Sequence, residues 1–180
     1  MILVVFLNLH DKQSYVLGRQ MPDYLKGDYV KIYTRYKDPK YEMCEIKDTL
    51  TKIQEYAQVF DQIVVSFGLR LFPPTAYKEI ISGHKNIKRS IVFLKQLKGS
   101  KTWTISDNRI SYDNYRVADC GLFILTAKDL KDTKTDNFNT FLKDLIASDK
   151  LDYKLVPYWL MSNYISDDNK KKTKKYKRGD

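Results

Sequence analysis

Continuous apolar runs alternate with segments of helical spacing along most of this chain. Residues 2–7 (ILVVFL) are unbroken and rich in β-branched side chains, the pattern of a strand covered on both faces, as in parallel sheets. Residues 61–67 (DQIVVSF) and 90–94 (SIVFL) repeat it. Residues 29–34 (YVKIYT) alternate in strand fashion, 118–126 (ADCGLFILT) read as a strand with Gly121 inside it, and 152–156 supply a last strand. Leu50, Ile53 and Ala57 recur at helical spacing, with Asp48 or Thr49 as the cap and an end near Gln58. A second helix runs from a Thr75 cap through Tyr77, Ile80 and Ile81 to a stop at Gly83. A third, 137–147, carries Phe138, Phe141, Leu142, Leu145 and Ile146 on one face. Asp107-Asn108 suits a tight turn joining 101–105 to 109–112 as a hairpin. Residues 10–27 are polar and turn-rich, the pattern of a long loop, and Asp38-Pro39 marks another turn.

This alternation predicts a single α/β domain over residues 1–168, with a mixed, mostly parallel sheet and helices on both faces. Ligands of such folds bind at the carboxyl edge of the parallel strands. Residues 169–180 (NKKKTKKYKRGD) are of low complexity and read as a disordered basic tail. No repeat of 20–50 residues is visible.

Composition narrows the classes. With 43% hydrophobic residues in 180, chain-wide disorder is excluded. The apolar first nine residues fall short of the ~20 needed to span a bilayer, and they lack the basic start and small-residue cleavage site of a secretory leader. No membrane span and a cytoplasmic, intracellular setting are therefore expected. Cys44 and Cys120 are too few for a disulfide framework or a zinc site and read as small buried residues. His10 and His84 read as loop or helix-end residues rather than bases, and Asp167-Asp168 as solvated surface acids. There is no Gly-x-Ser-x-Gly elbow and no Cys-x-x-Cys pair. Seven Lys or Arg and one Asp give the tail +6, leaving +4 of the total +10 for residues 1–168. Lys170, Lys171, Lys172, Lys174, Lys175, Lys177 and Arg178 are thus the candidate polyanion-binding residues, with nucleic acid or an acidic protein as partner. Fourteen tyrosines, several beside basic residues, fit base stacking, but an AT-rich genome is the plainer cause of most of these pairs.

The strand that ends at Gly68 and the acid–glycine pair of Asp119 and Gly121 are the candidate ligand edge, and strand-end punctuation is the plain alternative. Segments 63–72 (IVVSFGLRLF), 77–84 (YKEIISGH), 90–94, 108–112 (NRISY) and 118–125 (ADCGLFIL) resemble, in this order, the middle and rear of the sugar-nucleotide pyrophosphorylases, nucleotidyltransferases of the glycosyltransferase-A type. The resemblance implies a nucleotide-diphospho-sugar-transferase-like fold and a nucleotide or nucleotide-sugar cleft beside Gly68, Arg70, Asp119 and Gly121. The chain also departs from the family. After the first strand it reads Asn8-Leu9-His10-Asp11-Lys12 instead of a glycine-rich phosphate loop, and Gly18-Arg19 is the nearest substitute. Leu69 stands where the family places an aspartate, and Trp159-Leu160-Met161 where it places Trp-x-Asp. Leu and Met offer no oxygen to Mg²⁺, so no metal cofactor is expected unless the correspondence shifts at Leu69. Two functions are consistent with these features. One is a divergent nucleotidyltransferase-like pseudoenzyme that keeps a nucleotide cleft. The other is a non-catalytic nucleic-acid-binding or assembly protein of viral or mobile-element origin that uses its tail.

Overall fold

The computed structural model describes residues 2–9, 30–34, 37, 39–67, 74–95, 103–106, 109–112 and 121–156. In chain order the elements are β1 (Ile2–Leu9), β2 (Val30–Thr34), β3 (Glu42–Met43), a 3-10 turn (Ile46–Asp48), α1 (Thr49–Tyr56), β4 (Gln62–Phe67), α2 (Pro74–Gly83), β5 (Ser90–Lys95), β6 (Trp103–Ser106), β7 (Arg109–Tyr112), β8 (Leu122–Thr126), α3 (Ala127–Asp132), α4 (Phe138–Ala147) and β9 (Leu151–Val156). Seven strands form one sheet in the order β3-β2-β1-β4-β8-β5-β9, and β6 and β7 form a separate hairpin. Every neighbouring pair in the large sheet is parallel except those of β8, which runs antiparallel to both β4 and β5.

The continuous apolar runs exist because the sheet is covered on both sides. Leu3, Val5 and Leu7 of β1 join Ile63 and Val65 of β4 and Phe123 and Leu125 of β8 in a core closed by Leu50 and Ile53 of α1, Leu130 of α3 and Phe141, Leu142 and Leu145 of α4. The intervening residues Val4, Phe6, Val64, Leu122 and Ile124 pack on the other side against Tyr77 and Ile80 of α2. A strand whose alternate residues meet two cores cannot show polar alternation.

Local chemistry sets the helix starts, and it differs from the sequence expectation at two of them. Asn137 caps α4 as its Oδ1 accepts from the Thr140 N–H at 3.0 Å. At α1 neither Asp48 nor Thr49 acts as an extended cap. Asp48 has helical dihedrals (φ −94, ψ −1) because the 3-10 turn leads straight into the helix, which ends at Tyr56. At α2 the helix opens on Pro74, a residue ahead of the expected Thr75 cap, where proline's fixed φ and missing N–H cost nothing. Gly121 is also displaced from its expected place inside a strand. It immediately precedes β8, with φ +56 in the left-handed region that interrupts extended backbone. The expected strand's residues 118–120, the loop 10–27 and the tail 169–180 lie outside the described residues. Among the described residues no helix is long and apolar enough to cross a membrane.

Candidate functional site

The carboxyl ends of β1, β2, β4, β5 and β9 share one edge of the sheet, and antiparallel β8 starts there. At this edge the Phe67 N–H donates to the Gly121 carbonyl at 2.8 Å, which extends the β4–β8 ladder by one bond. The last residue of IVVSF and the glycine of ADCG, far apart in the chain, are therefore neighbours across two strands. The Phe67 ring is half-buried and meets Phe123 (centroids 6.0 Å) and Phe138 (5.2 Å) edge to face.

Beside Phe67 lies a cleft of about 510 Å³. One wall is the 3-10 turn and the start of α1, with Ile46, Lys47 and Thr49; the other is the entry to α4, with Asp136, Asn137 and Asn139, while Phe67 and Phe138 contribute apolar surface. Both helices begin here and run back along the sheet, so their N-terminal N–H groups and positive dipole ends face this edge. Lys47 lies 3.1 Å from Glu45, whose hydrogen bond and charge hold the ammonium above the ordinary lysine value. A volume of this size, part aromatic and part polar, is in the range of small-molecule sites.

Of the ligand residues expected from sequence, Gly121 is placed, at the edge beside Phe67. Gly68, Arg70 and Asp119, the departures Leu69 and Met161, and the seven basic tail residues from Lys170 to Arg178 lie outside the described residues. The cleft adds Lys47, Thr49, Asp136 and Asn139, which carry no motif. They are brought together because α1 follows the end of β3 at this edge, while α3 and the segment after it separate the far end of β8 from the start of α4, a topological cue rather than a local one.

The buried acid of the described structure sits elsewhere. Asp129, 6% exposed, accepts from Ser90 Oγ at 2.6 Å and Thr126 Oγ1 at 2.8 Å, while its N–H donates to Thr126 Oγ1 at 3.1 Å. Ser90 opens β5 and Thr126 closes antiparallel β8, so this network caps α3 at the opposite edge from the cleft. Cys44 is buried, and burial pushes its thiol above the ordinary range, with Asp48 adding to the effect. His84 uses Nδ1 to contact the Ile80 carbonyl at 2.8 Å and packs on Phe93, in keeping with a helix-end role.

The fold raises the question of Mg²⁺, which needs several hard oxygen ligands in near-octahedral array. Asp136 is the one carboxylate among the described residues lining the cleft, and no group of three His, Cys, Asp or Glu converges among the described residues. These donors do not make a Mg²⁺ site.

The strand order and mixed strand direction are those of a nucleotidyltransferase-like α/β fold. Among solved structures, HddC from Yersinia pseudotuberculosis superposes with TM-score 0.61 over 97% of this chain and 99% of its own at 14% identity, and the same protein complexed with GMP-PN gives 0.58 over 97% and 99% at 16%. The 4-diphosphocytidyl-2C-methyl-D-erythritol synthase from Anaerococcus prevotii DSM 20548 gives 0.58 over 99% of each chain at 7% identity. The inositol-1-phosphate CTP transferase from T. maritima gives 0.53 over 99% of this chain and 77% of its own at 16%. At these identities the likeness is one of fold. No family model and no curated protein matches the chain.

Proposed function

We propose that this protein binds a nucleotide or nucleotide-sugar at the carboxyl edge of its sheet and has lost the metal-dependent transfer chemistry of the proteins it resembles in fold. The observation that carries the reading is the Phe67–Gly121 bond beside a cleft of about 510 Å³. It joins the two segments of the sequence resemblance at the edge where α/β folds take ligands. The HddC complex with GMP-PN supports a guanine nucleotide as one class to test. Loss of transfer chemistry rests on Leu69 and Met161, which stand where the resemblance calls for acids.

Thermal shift against nucleoside triphosphates and nucleotide-sugars, each with and without Mg²⁺, tests the binding. A ligand at 100 times its Kd stabilises by about 2.7 kcal/mol, an increase in Tm of about 5 °C or more for a domain of this size. The shift is expected without Mg²⁺. No shift with any compound overturns the binding. Mg²⁺-dependent release of pyrophosphate from a triphosphate and a sugar phosphate overturns the loss of catalysis.

A further inference from the structure

The last strand of the sheet has an outer edge that no described strand pairs, and its side chains are self-complementary. β9 is in unbroken register with β5 over six consecutive pairs, from Ser90↔Leu151 to Lys95↔Val156, with no bulge. The edge at the other side of the sheet, β3, is only two residues long. Long regular edges are commonly blunted by bulges or cover, because their free N–H and C=O groups template further pairing. Along β9, Leu151 is buried, Tyr153 packs on the core, and Leu155 on the same side of the pleat is 53% exposed. Asp152 and Lys154 point to the opposite side, and both are exposed.

We propose that β9 pairs antiparallel with β9 of a second copy across a two-fold axis at Tyr153, joining two sheets into one through a homodimer. The register follows from geometry. Opposed residues in an antiparallel pair share a face, so a two-fold axis normal to the sheet passes through a residue and not between two. Centred on Tyr153, it sets Asp152 opposite the partner's Lys154, Lys154 opposite the partner's Asp152, and Leu151 opposite the partner's Leu155. Centred on Asp152 or Lys154, it sets like charges face to face. Charge thus selects one isologous register and penalises its neighbours. Asp152 also lies 3.0 Å from Arg89 Nε, and its half-exposed side chain leaves the carboxylate free to accept a second cation. Six residues span about 20 Å, so the contact lies at the small end of stable interfaces and the dimer is expected to form at micromolar concentration.

Sedimentation velocity on the full chain from about 5 to 200 μM tests this. A reversible monomer–dimer equilibrium is expected, and a chain that stays monomeric throughout overturns the proposal, whether solvent or another segment occupies the edge. Lys154→Asp, which leaves the Arg89 contact intact, should weaken dimerisation at least tenfold with unchanged circular dichroism. Asp152→Lys should do the same. An equimolar mixture of the two should regain dimer, since all-positive and all-negative edges complement each other. Dimerisation unchanged in Lys154→Asp, or single variants that stay apart when mixed, would overturn pairing through this edge.

Discussion

The Phe67 N–H and the Gly121 carbonyl meet at 2.8 Å, and Gly121 can make that bond because it holds φ +56. A side chain there would place its Cβ 3.4 Å from Phe67 Cβ, an ordinary contact, so the obstacle is backbone conformation rather than space. Gly121→Ala is therefore expected to destabilise by about 1–2 kcal/mol, the cost of a left-handed L-residue. Gly121→Asn should cost about half as much, since Asn tolerates that region. Urea unfolding measures both, and an alanine variant as stable as wild type would sink the conformational account.

Asp129 provides a test at the opposite edge. Its Oδ2 takes hydroxyl donors from Ser90 and Thr126, so Asp129→Ala leaves two buried hydroxyls without their acceptor and frees the Thr126 side chain that caps α3. A loss of about 2–4 kcal/mol is expected, and about 1 kcal/mol for Asp129→Asn, which keeps an acceptor oxygen. Nucleotide affinity of the Asn variant should be unchanged, because the network is remote from the cleft.

How much of this was legible depends on whether the cue was local. β1, β4 and β5 were readable because residues buried on both faces make an apolar run, and α4 because five apolar residues recur over eleven positions. α3 was not, since Leu130 is the single large apolar residue among its six and shows no period. The Thr126 and Asp129 pair that starts it is a capping pattern followed by almost no apolar run. ADCGLFILT reads as continuous and so puts Gly121 inside a strand, and nothing in the string fixes a positive φ there. The cleft was least legible: Thr49 and Asn139 are apart in sequence and meet only through the order of the sheet.

Burial gives Tyr33 a pH signature. Its ring is 2% exposed and its hydroxyl bonds that of Tyr56; burial first, then that bond, pushes the phenol well above its ordinary value. The folded state thus keeps a proton that the unfolded chain loses near pH 10, so this stabilisation is complete below about pH 10 and declines above it. The decline is expected at up to about 1.4 kcal/mol per pH unit, and Cys44, also raised, acts in the same direction. Urea unfolding from pH 8 to 11 should show a shallower alkaline fall for Tyr33→Phe than for wild type. Parallel curves would remove Tyr33 as the titrating group.

The basic tail makes a separate expectation that the sheet edge does not. Deleting residues 169–180 lowers the net charge from +10 to +4. If its seven cations each neutralise a phosphate, binding to single-stranded nucleic acid should fall with salt at a log–log slope of about −5. Full-length protein should be retained on immobilised single-stranded DNA at low salt and the truncated form should elute early. Equal retention would exclude the tail as the polyanion-binding element.

The cleft itself is tested by side chains that fold can spare. Asn139 is partly exposed on the first turn of α4 and Lys47 is exposed, so Asn139→Ala and Lys47→Ala should each change stability by no more than about 0.5 kcal/mol. If a nucleotide lies between the two helix starts, loss of one hydrogen bond or one rim charge should weaken it about threefold to fivefold. Phe67→Leu keeps an apolar side chain while removing the ring that meets Phe123 and Phe138, at about 1 kcal/mol in stability for this half-buried position. It should cost more affinity than either polar variant, because the ring contributes its apolar surface directly to the cleft. Isothermal titration with the compound that shifts Tm most provides the comparison, with Asp129→Asn as the variant expected to bind like wild type. Weakening confined to the cleft variants places the ligand between α1 and α4; equal affinity in all of them would move it off this cleft while leaving nucleotide binding itself intact.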